Sequence, residues 1–255
     1  MLKLKYILIV FLVLITVIGA MVAFYGVSPW WYVLPGAILI FFTALGSARI
    51  GMSFYTEVVC RIISKDLIVL TFDDGPDEFV TPKVLEVLKK NNVKAVFFFI
   101  GHKAENFPGL VKQAFEEGHI IGNHSYCHHD LYGFYSSGKV AADMERSAEV
   151  IKKIIGVKPI FFRPPFGVTN PNIKAALKKL KLLPVGWSLR SLDTMNKGPE
   201  KIKKRISKVK AGDIVLFHDR IAGIDIVTDE FIRTCKQQQL GFARLDEALN
   251  MNAYE

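Results

Sequence analysis

Cysteine is scarce in this chain, and charge is missing from two long stretches of it. Cys60, Cys127 and Cys235 are odd in number, far apart and form no Cys-x-x-Cys pair. That argues against a disulfide framework and fits a reducing compartment. No charged residue lies between Tyr6 and Gly26, and none between Gly26 and Ala48. The first run exceeds the ~7–15 apolar residues of a secretory leader core, and a second apolar span follows it. Each is close to the ~20 residues that cross a bilayer core. The second opens with Trp30, Trp31 and Tyr32, side chains favoured at the membrane interface. The expectation is two transmembrane helices, about 6–26 and 30–48, joined by the tight Gly26-Val27-Ser28-Pro29 connection. Internal repeats and low-complexity segments are also absent.

The charge that is present is unbalanced, with a formal net charge of +9. Lys3 and Lys5 precede the first helix, the connection carries neither Lys nor Arg, and Arg49, Arg61 and Lys65 follow the second. The positive-inside rule therefore places both ends, and the soluble part, on the cytoplasmic side of a cell membrane. Between Lys174 and Lys210, twelve lysines and arginines face only Asp193 and Glu200. A solvated helix face explains such a run by itself. Beside a membrane it also suits anionic lipid or a phosphate-bearing substrate.

Past residues 1–50 and a connector at 51–65, β-rich and helical patterns alternate through 66–255. Strand patterns fall at 67–72, 95–100, 119–122, 160–162, 183–187, 214–217 and near 241–245. Helical patterns fall at 81–90, 108–117, 139–155, 170–179, 199–208 and 228–238, with Thr81-Pro82 and Asn170-Pro171 reading as helix starts. Short strands separated by helices build right-handed βαβ units and a parallel sheet or barrel. Roughly 190 residues is short for a closed eight-fold barrel. The expected fold class is α/β: a distorted or incomplete (β/α) barrel of about seven parallel strands, preceded by the two-helix hairpin.

The most informative stretch is Leu67-Ile68-Val69-Leu70 running into Thr71-Phe72-Asp73-Asp74-Gly75-Pro76. It reads as a buried strand emerging at the carboxyl end of a sheet, where α/β folds build their sites. Strand side chains alternate, so adjacent aspartates point different ways, and one can bind a metal while its neighbour handles a proton. Taken alone, an acidic turn explains it as well. His124 and His128 are four apart and face one point on a helical turn or a curled loop. Two imidazoles and a carboxylate are a common catalytic metal set that leaves a position open for water. Arg163, ahead of Pro164-Pro165-Phe166-Gly167, can hold a carboxylate through a forked pair of hydrogen bonds, or can be a surface arginine before a proline turn. Two further segments, Trp187 to Thr194 and Leu216-Phe217-His218-Asp219, also fall at strand ends. A core histidine is the plain alternative for His218, but the recurrence of polar groups at strand ends favours a site.

These five segments, in this order, resemble the polysaccharide deacetylases of the carbohydrate esterase group, the NodB-homology domain. The resemblance spans roughly Asp66 to Leu249. It implies that Asp74, His124 and His128 ligate a divalent metal, most plausibly zinc. Asp73 would be the general base, held by Arg163, and His218 the general acid, oriented by Asp193. Backbone N–H around Phe166 would stabilise an oxyanion, and Leu216 would line the pocket for the acetyl methyl. Two positions depart from the pattern: Arg190 stands where many relatives have an aspartate, and Thr194 where they have a tryptophan, which removes an apolar wall. Cys127, His102, His119 and His129 read as loop or structural residues. The implied activity is membrane-anchored, metal-dependent N-deacetylation of acetylated sugars in a glycan or lipid-linked saccharide. An O-acetyl esterase, an N-deformylase and a non-catalytic carbohydrate-binding relic are the alternatives; nucleic acid is not among the expected partners.

Overall fold

The computed structural model describes residues 3–195 and 198–255, so Lys197 of the basic run lies outside the described residues. The chain opens with two helices, α1 (Leu4–Tyr25) and α2 (Val33–Ala48), the latter entered through a 3-10 turn at Pro29–Tyr32. By length and composition, α1 and the continuous stretch Pro29–Ala48, which joins the 3-10 turn to α2, are each long and apolar enough to cross a membrane. The start of α1 and the end of α2 come together against the rest of the protein, with the N–H of Leu4 donating to the carbonyl of Phe54 and the Tyr55 hydroxyl to that of Thr43. The segment after α2 is more than a connector. Phe54, Tyr55 and Ile62 are buried, Val59 bridges to Val185, and Arg61 pairs with Asp213 at 2.6 Å.

Strands and helices then alternate. They run β1 (Leu67–Asp73), α3 (Thr81–Lys90), β2 (Val96–Phe99), α4 (Gly101–Asn106), α5 (Pro108–Glu116), β3 (Ile120–Asn123), α6 (Ser137–Ile155), β4 (Phe161–Phe162) and α7 (Pro171–Lys179). The order continues with β5 (Leu183–Pro184), β6 (Leu189–Arg190), α8 (Pro199–Ile206), β7 (Ile214–His218), α9 (Ile224–Gln237), β8 (Gly241–Phe242) and α10 (Leu245–Leu249). Every strand pair is parallel, in the order β5-β4-β3-β2-β1-β7-β6, with β8 added at the start of β1. Among the described residues β5 and β6 do not pair, so the seven-strand path curls without closing, as the chain length suggested.

Alternation along β1 sets up the site. Ile68, Leu70 and Phe72 face the helices, and Phe72 stacks between Phe97 (5.1 Å) and Phe217 (5.9 Å). Val69, Thr71 and Asp73 therefore face the concave side, where Val69 packs with Val96, Phe98 and Ile214. The short elements β6, α4 and α10 are not visible as periodic patterns, and Leu245 begins a helix rather than ending a strand. The helix expected at 228–238 starts a turn earlier, at Ile224, because Ile224 and Val227 are buried on the same face as Phe231.

Candidate active site

Asp73 is the last residue of β1, on the concave face, and is 3% exposed. Its neighbour Asp74 has left the strand: φ is 74°, the left-handed region. The two carboxylates diverge because of this backbone turn, not through strand alternation. Gly75 follows, and any Cβ there would run into the Asp219 carboxylate, so only glycine fits.

Asp74 Oδ1 lies 3.4 Å from both His124 Nε2 and His128 Nε2. The three donor atoms fall within 4.8 Å of one another. His124 extends β3, and its Nδ1–H donates to the carbonyl of Arg163 at 2.7 Å. Nε2 is thereby left with its lone pair facing the site, which is the state a metal ligand needs. His128 arrives on a curled loop, not a helical turn, through left-handed backbone at Ser125 (φ 68°) and at His128 itself (φ 45°). Burial pushes its pKa down to about 4, so it is a neutral donor. Burial by itself would raise the pKa of Asp74, but its contact with His124, the charge of His218 and the Arg220 hydrogen bond hold it well below the usual carboxylate range. Two imidazoles that each present Nε2 and one ionised carboxylate fit a divalent transition metal.

Arg163 follows β4 and is fully buried. It does not grip Asp73 as a fork. Nη1 donates to Asp73 Oδ1 at 2.7 Å and to Thr71 Oγ1 at 2.8 Å, while Nε and Nη2 donate to the carbonyls of Val185 and Gly186. The guanidinium also lies 4.2 Å from the Phe98 ring. One arginine thus ties β1, β4 and the β5–β6 connection together beneath Asp73, leaving Asp73 Oδ2 turned toward His124 Nε2 at 3.9 Å.

On the other side of β1, His218 ends β7 and is register partner to Asp73. Its Nδ1 bonds Asp193 Oδ1 at 2.7 Å and its backbone N–H donates to Asp193 Oδ2 at 2.8 Å. Burial works against protonation of His218, but the Asp193 hydrogen bond and the charges of Asp193, Asp73 and Asp74 outweigh it and raise its pKa.

A cavity of about 160 Å³ joins these groups, with Phe166, Gly167, Trp187, Arg190, Thr194, Leu216 and Arg220 in its wall. Trp187 supplies an apolar wall although Thr194 stands at the cavity too: its ring packs where a Cβ on Gly167 would sit. Phe166 turns the rim with φ 59° and lies 4.7 Å from the His128 ring.

Three supporting residues escape the sequence reading. Arg220 Nε donates to Asp74 Oδ2 at 2.8 Å, and Lys103 Nζ to the Asp74 carbonyl at 2.8 Å. Asp219, fully buried with its pKa pushed up to about 7 by burial, bonds Thr81 Oγ1 at 2.6 Å and fixes the turn from behind. Thr81 therefore serves this contact rather than capping its helix. The only available signal was position, since Arg220 and Asp219 follow a strand end. Cys127, His102 and His129 lie outside the metal cluster; His119 is buried, and its Nδ1 accepts from the Ala95 N–H.

Residues 62–185 match the family model described as polysaccharide deacetylase. The chain is 35% identical over 161 residues to a peptidoglycan-N-acetylglucosamine deacetylase of Bacillus cereus, covering 63% of this chain and 58% of that one. It is 34% identical over 188 residues to the peptidoglycan-N-acetylmuramic acid deacetylase PdaA of Bacillus subtilis, covering 71% of each. The crystal structure of a peptidoglycan N-acetylglucosamine deacetylase in complex with 4-naphthalen-1-yl-N-oxidanyl-benzamide superposes with a TM-score of 0.73 at 30% identity, over 78% of this chain and 95% of that one. The chain spans just over half the length of the first of these relatives. With the Asp-His-His cluster, the buried arginine under Asp73 and the His218–Asp193 pair on one half-open parallel barrel, the chain belongs to the polysaccharide deacetylase family.

Proposed function

We propose that this protein is a membrane-anchored, metal-dependent hydrolase that removes acetyl groups from N-acetylated sugars of a glycan or lipid-linked saccharide. The observation that carries this reading is the convergence, around one cavity, of the Asp74-His124-His128 cluster with a held carboxylate on β1 and a paired histidine on β7.

Asp74, His124 and His128 would hold the ion. A divalent cation bound there supplies Lewis acidity, polarising the acyl carbonyl and lowering the pKa of an adjacent water toward ~7. Asp73 takes the proton from the attacking water as the new C–O bond forms, and Arg163 keeps its carboxylate aimed. His218 delivers a proton to the leaving amine nitrogen as the C–N bond breaks, while Asp193 stabilises its charged form. Backbone N–H at Phe166 would take the developing oxyanion. Leu216 and Trp187 would enclose the acetyl methyl, leaving acetate and a free amino sugar as products.

The hairpin supports a site close to a membrane. The N–H of Thr169, three residues past Phe166, donates to the carbonyl of Ser47 near the end of α2 at 3.2 Å. Buried Ile50 packs against Gly186, next to Trp187. Lys3, Lys5 and Arg49 lie at the hairpin's inner ends, and the connection at 26–29 carries no charge, which favours a cytoplasmic catalytic domain. A water-soluble N-acetylglucosamine oligomer offered to sealed vesicles is expected to release acetate from inside-out vesicles, and right-side-out ones should stay silent. Chelation should stop the reaction and zinc restore it. Acetate release that survives chelation, or that comes only from right-side-out vesicles, contradicts the metal or the orientation respectively.

The raised pKa of His218 has a kinetic consequence. A general acid must be protonated to act, so raising its pKa extends activity toward alkaline pH. Asp193→Asn removes the charge that holds the proton. The alkaline limb of the kcat/KM–pH profile is then expected to move to lower pH, with the loss of rate larger at alkaline than at acidic pH. A uniform loss at every pH would show that Asp193 only positions the ring.

A further inference from the structure

The charges around the cavity are matched except at one point. Asp73 is paired with Arg163, Asp193 with His218, and Asp74 with its two imidazoles and Arg220. Arg190 makes no ion pair among the described residues, and its Nε is buried with no hydrogen-bond partner. A buried guanidinium N–H without an acceptor is uncommon in a native protein and calls for one. Arg190 stands where the family pattern expects an acid, so both the sign and the reach of this wall are reversed in this chain.

Sheet register says where Arg190 points. It pairs with Leu216, which pairs in turn with Thr71, so all three side chains leave the same, concave face of the sheet. Thr71 is bonded to Arg163 beneath the base, and Leu216 and Arg190 both line the catalytic cavity. The guanidinium is 5.7 Å from the Trp187 ring, which limits its freedom. Arg220 lines the same cavity, and with Nε committed to Asp74, its side chain is still 43% exposed. Two guanidinium groups therefore border a space of about 160 Å³.

We propose that Arg190, seconded by Arg220, forms an oxyanion subsite in the wall of the catalytic cavity, and that the acetylated sugar this enzyme takes carries a negatively charged substituent, a carboxylate or a phosphate. This names the substrate class for the deacetylase reading above and rests on it. Guanidinium groups suit both oxyanions because their planar N–H pairs match two oxygens at once.

The test is a binding comparison on the full-length, zinc-loaded protein in detergent, by calorimetry. The probes are N-acetylmuramic acid, N-acetylglucosamine 1-phosphate and neutral N-acetylglucosamine. A charge-assisted contact predicts that at least one charged probe binds ~10–100-fold more tightly than the neutral sugar. A margin confined to the carboxylate or to the phosphate names the substituent. Arg190→Gln should erase the margin while leaving neutral binding within about twofold, and Arg190→Lys should keep part of it, since charge without the planar fork remains. Equal binding of charged and neutral sugars by the wild-type protein overturns the proposal, as does failure of both charged probes to bind. An equal loss for all three probes in Arg190→Gln overturns it too, because it would show that Arg190 only props Trp187. Binding is read apart from turnover: a charge margin with no acetate released from the probes or from the N-acetylglucosamine oligomer would refute the deacetylase reading alone.

Discussion

Asp74→Ala is expected to lose its metal and its turnover together, whereas His218→Ala should keep the metal and lose turnover alone. Asp74 Oδ1 is the atom both imidazoles converge on, so its removal leaves two neutral donors and no charge to hold a dication. Arg220, released from Asp74 Oδ2, would add positive charge to the same space. His218 is different, because its Nδ1 is committed to Asp193 and it is not one of the three clustered donors. Its loss removes proton delivery to the amine, worth ~10²–10⁴-fold in kcat/KM. Metal content by elemental analysis, read beside acetate release, separates the two. A His218→Ala protein that has lost its metal, or an Asp74→Ala protein with full metal-dependent activity, would overturn the division of roles.

Arg163→Met should be the most destabilising single change in the catalytic domain. Removing one partner of a buried ion pair costs ~3–5 kcal/mol because the other charge stays behind unpaired. Here Asp73 would be stranded, and Thr71 Oγ1 and the carbonyls of Val185 and Gly186 would lose a donor with it. For a domain of this size that corresponds to a fall in Tm of roughly 10 °C. Arg163→Lys should recover little, since one ammonium cannot serve four acceptors and also lie over Phe98. In the double variant Asp73→Asn/Arg163→Met the stranded charge is gone, so part of the lost stability should return while turnover does not. Thermal melts of the detergent-solubilised full chain, with acetate release alongside, give both readouts. If Arg163→Met melts within about 2 °C of the wild type, a margin below the expected loss, the buried-pair account fails.

The two variants differ in how far the sequence foresaw them. The candidate metal cluster was legible as a grouping because strand-end position and short spacing are local: Asp74 follows an apolar run, and His124 and His128 share one loop. The way the cluster forms was not. Left-handed backbone at Asp74 bends the chain where strand alternation was expected, and at Ser125 and His128 it selects the curled loop from the two shapes the spacing allowed. Such turns are imposed by contacts distant in sequence, as when the Asp219 carboxylate crowds Gly75. Arg163 was marked as a carboxylate partner, yet its other bonds reach residues 22 to 92 positions away, on β1 and in the β5–β6 connection. Lys103 showed no pattern at all and Arg220 only a place after a strand end, because each acts on the site only once β7 and α4 lie beside β1.

By itself the sequence determined the alternating α/β order, the two uncharged helices and the residue types at each strand end, since periodicity, turn residues and charge are properties of neighbours along the chain. Only the tertiary structure decided that one buried arginine ties three segments beneath Asp73, and that Arg190 faces the cavity with no acid to meet it. Those depend on which strands lie side by side, and burial makes each pairing, or its absence, count.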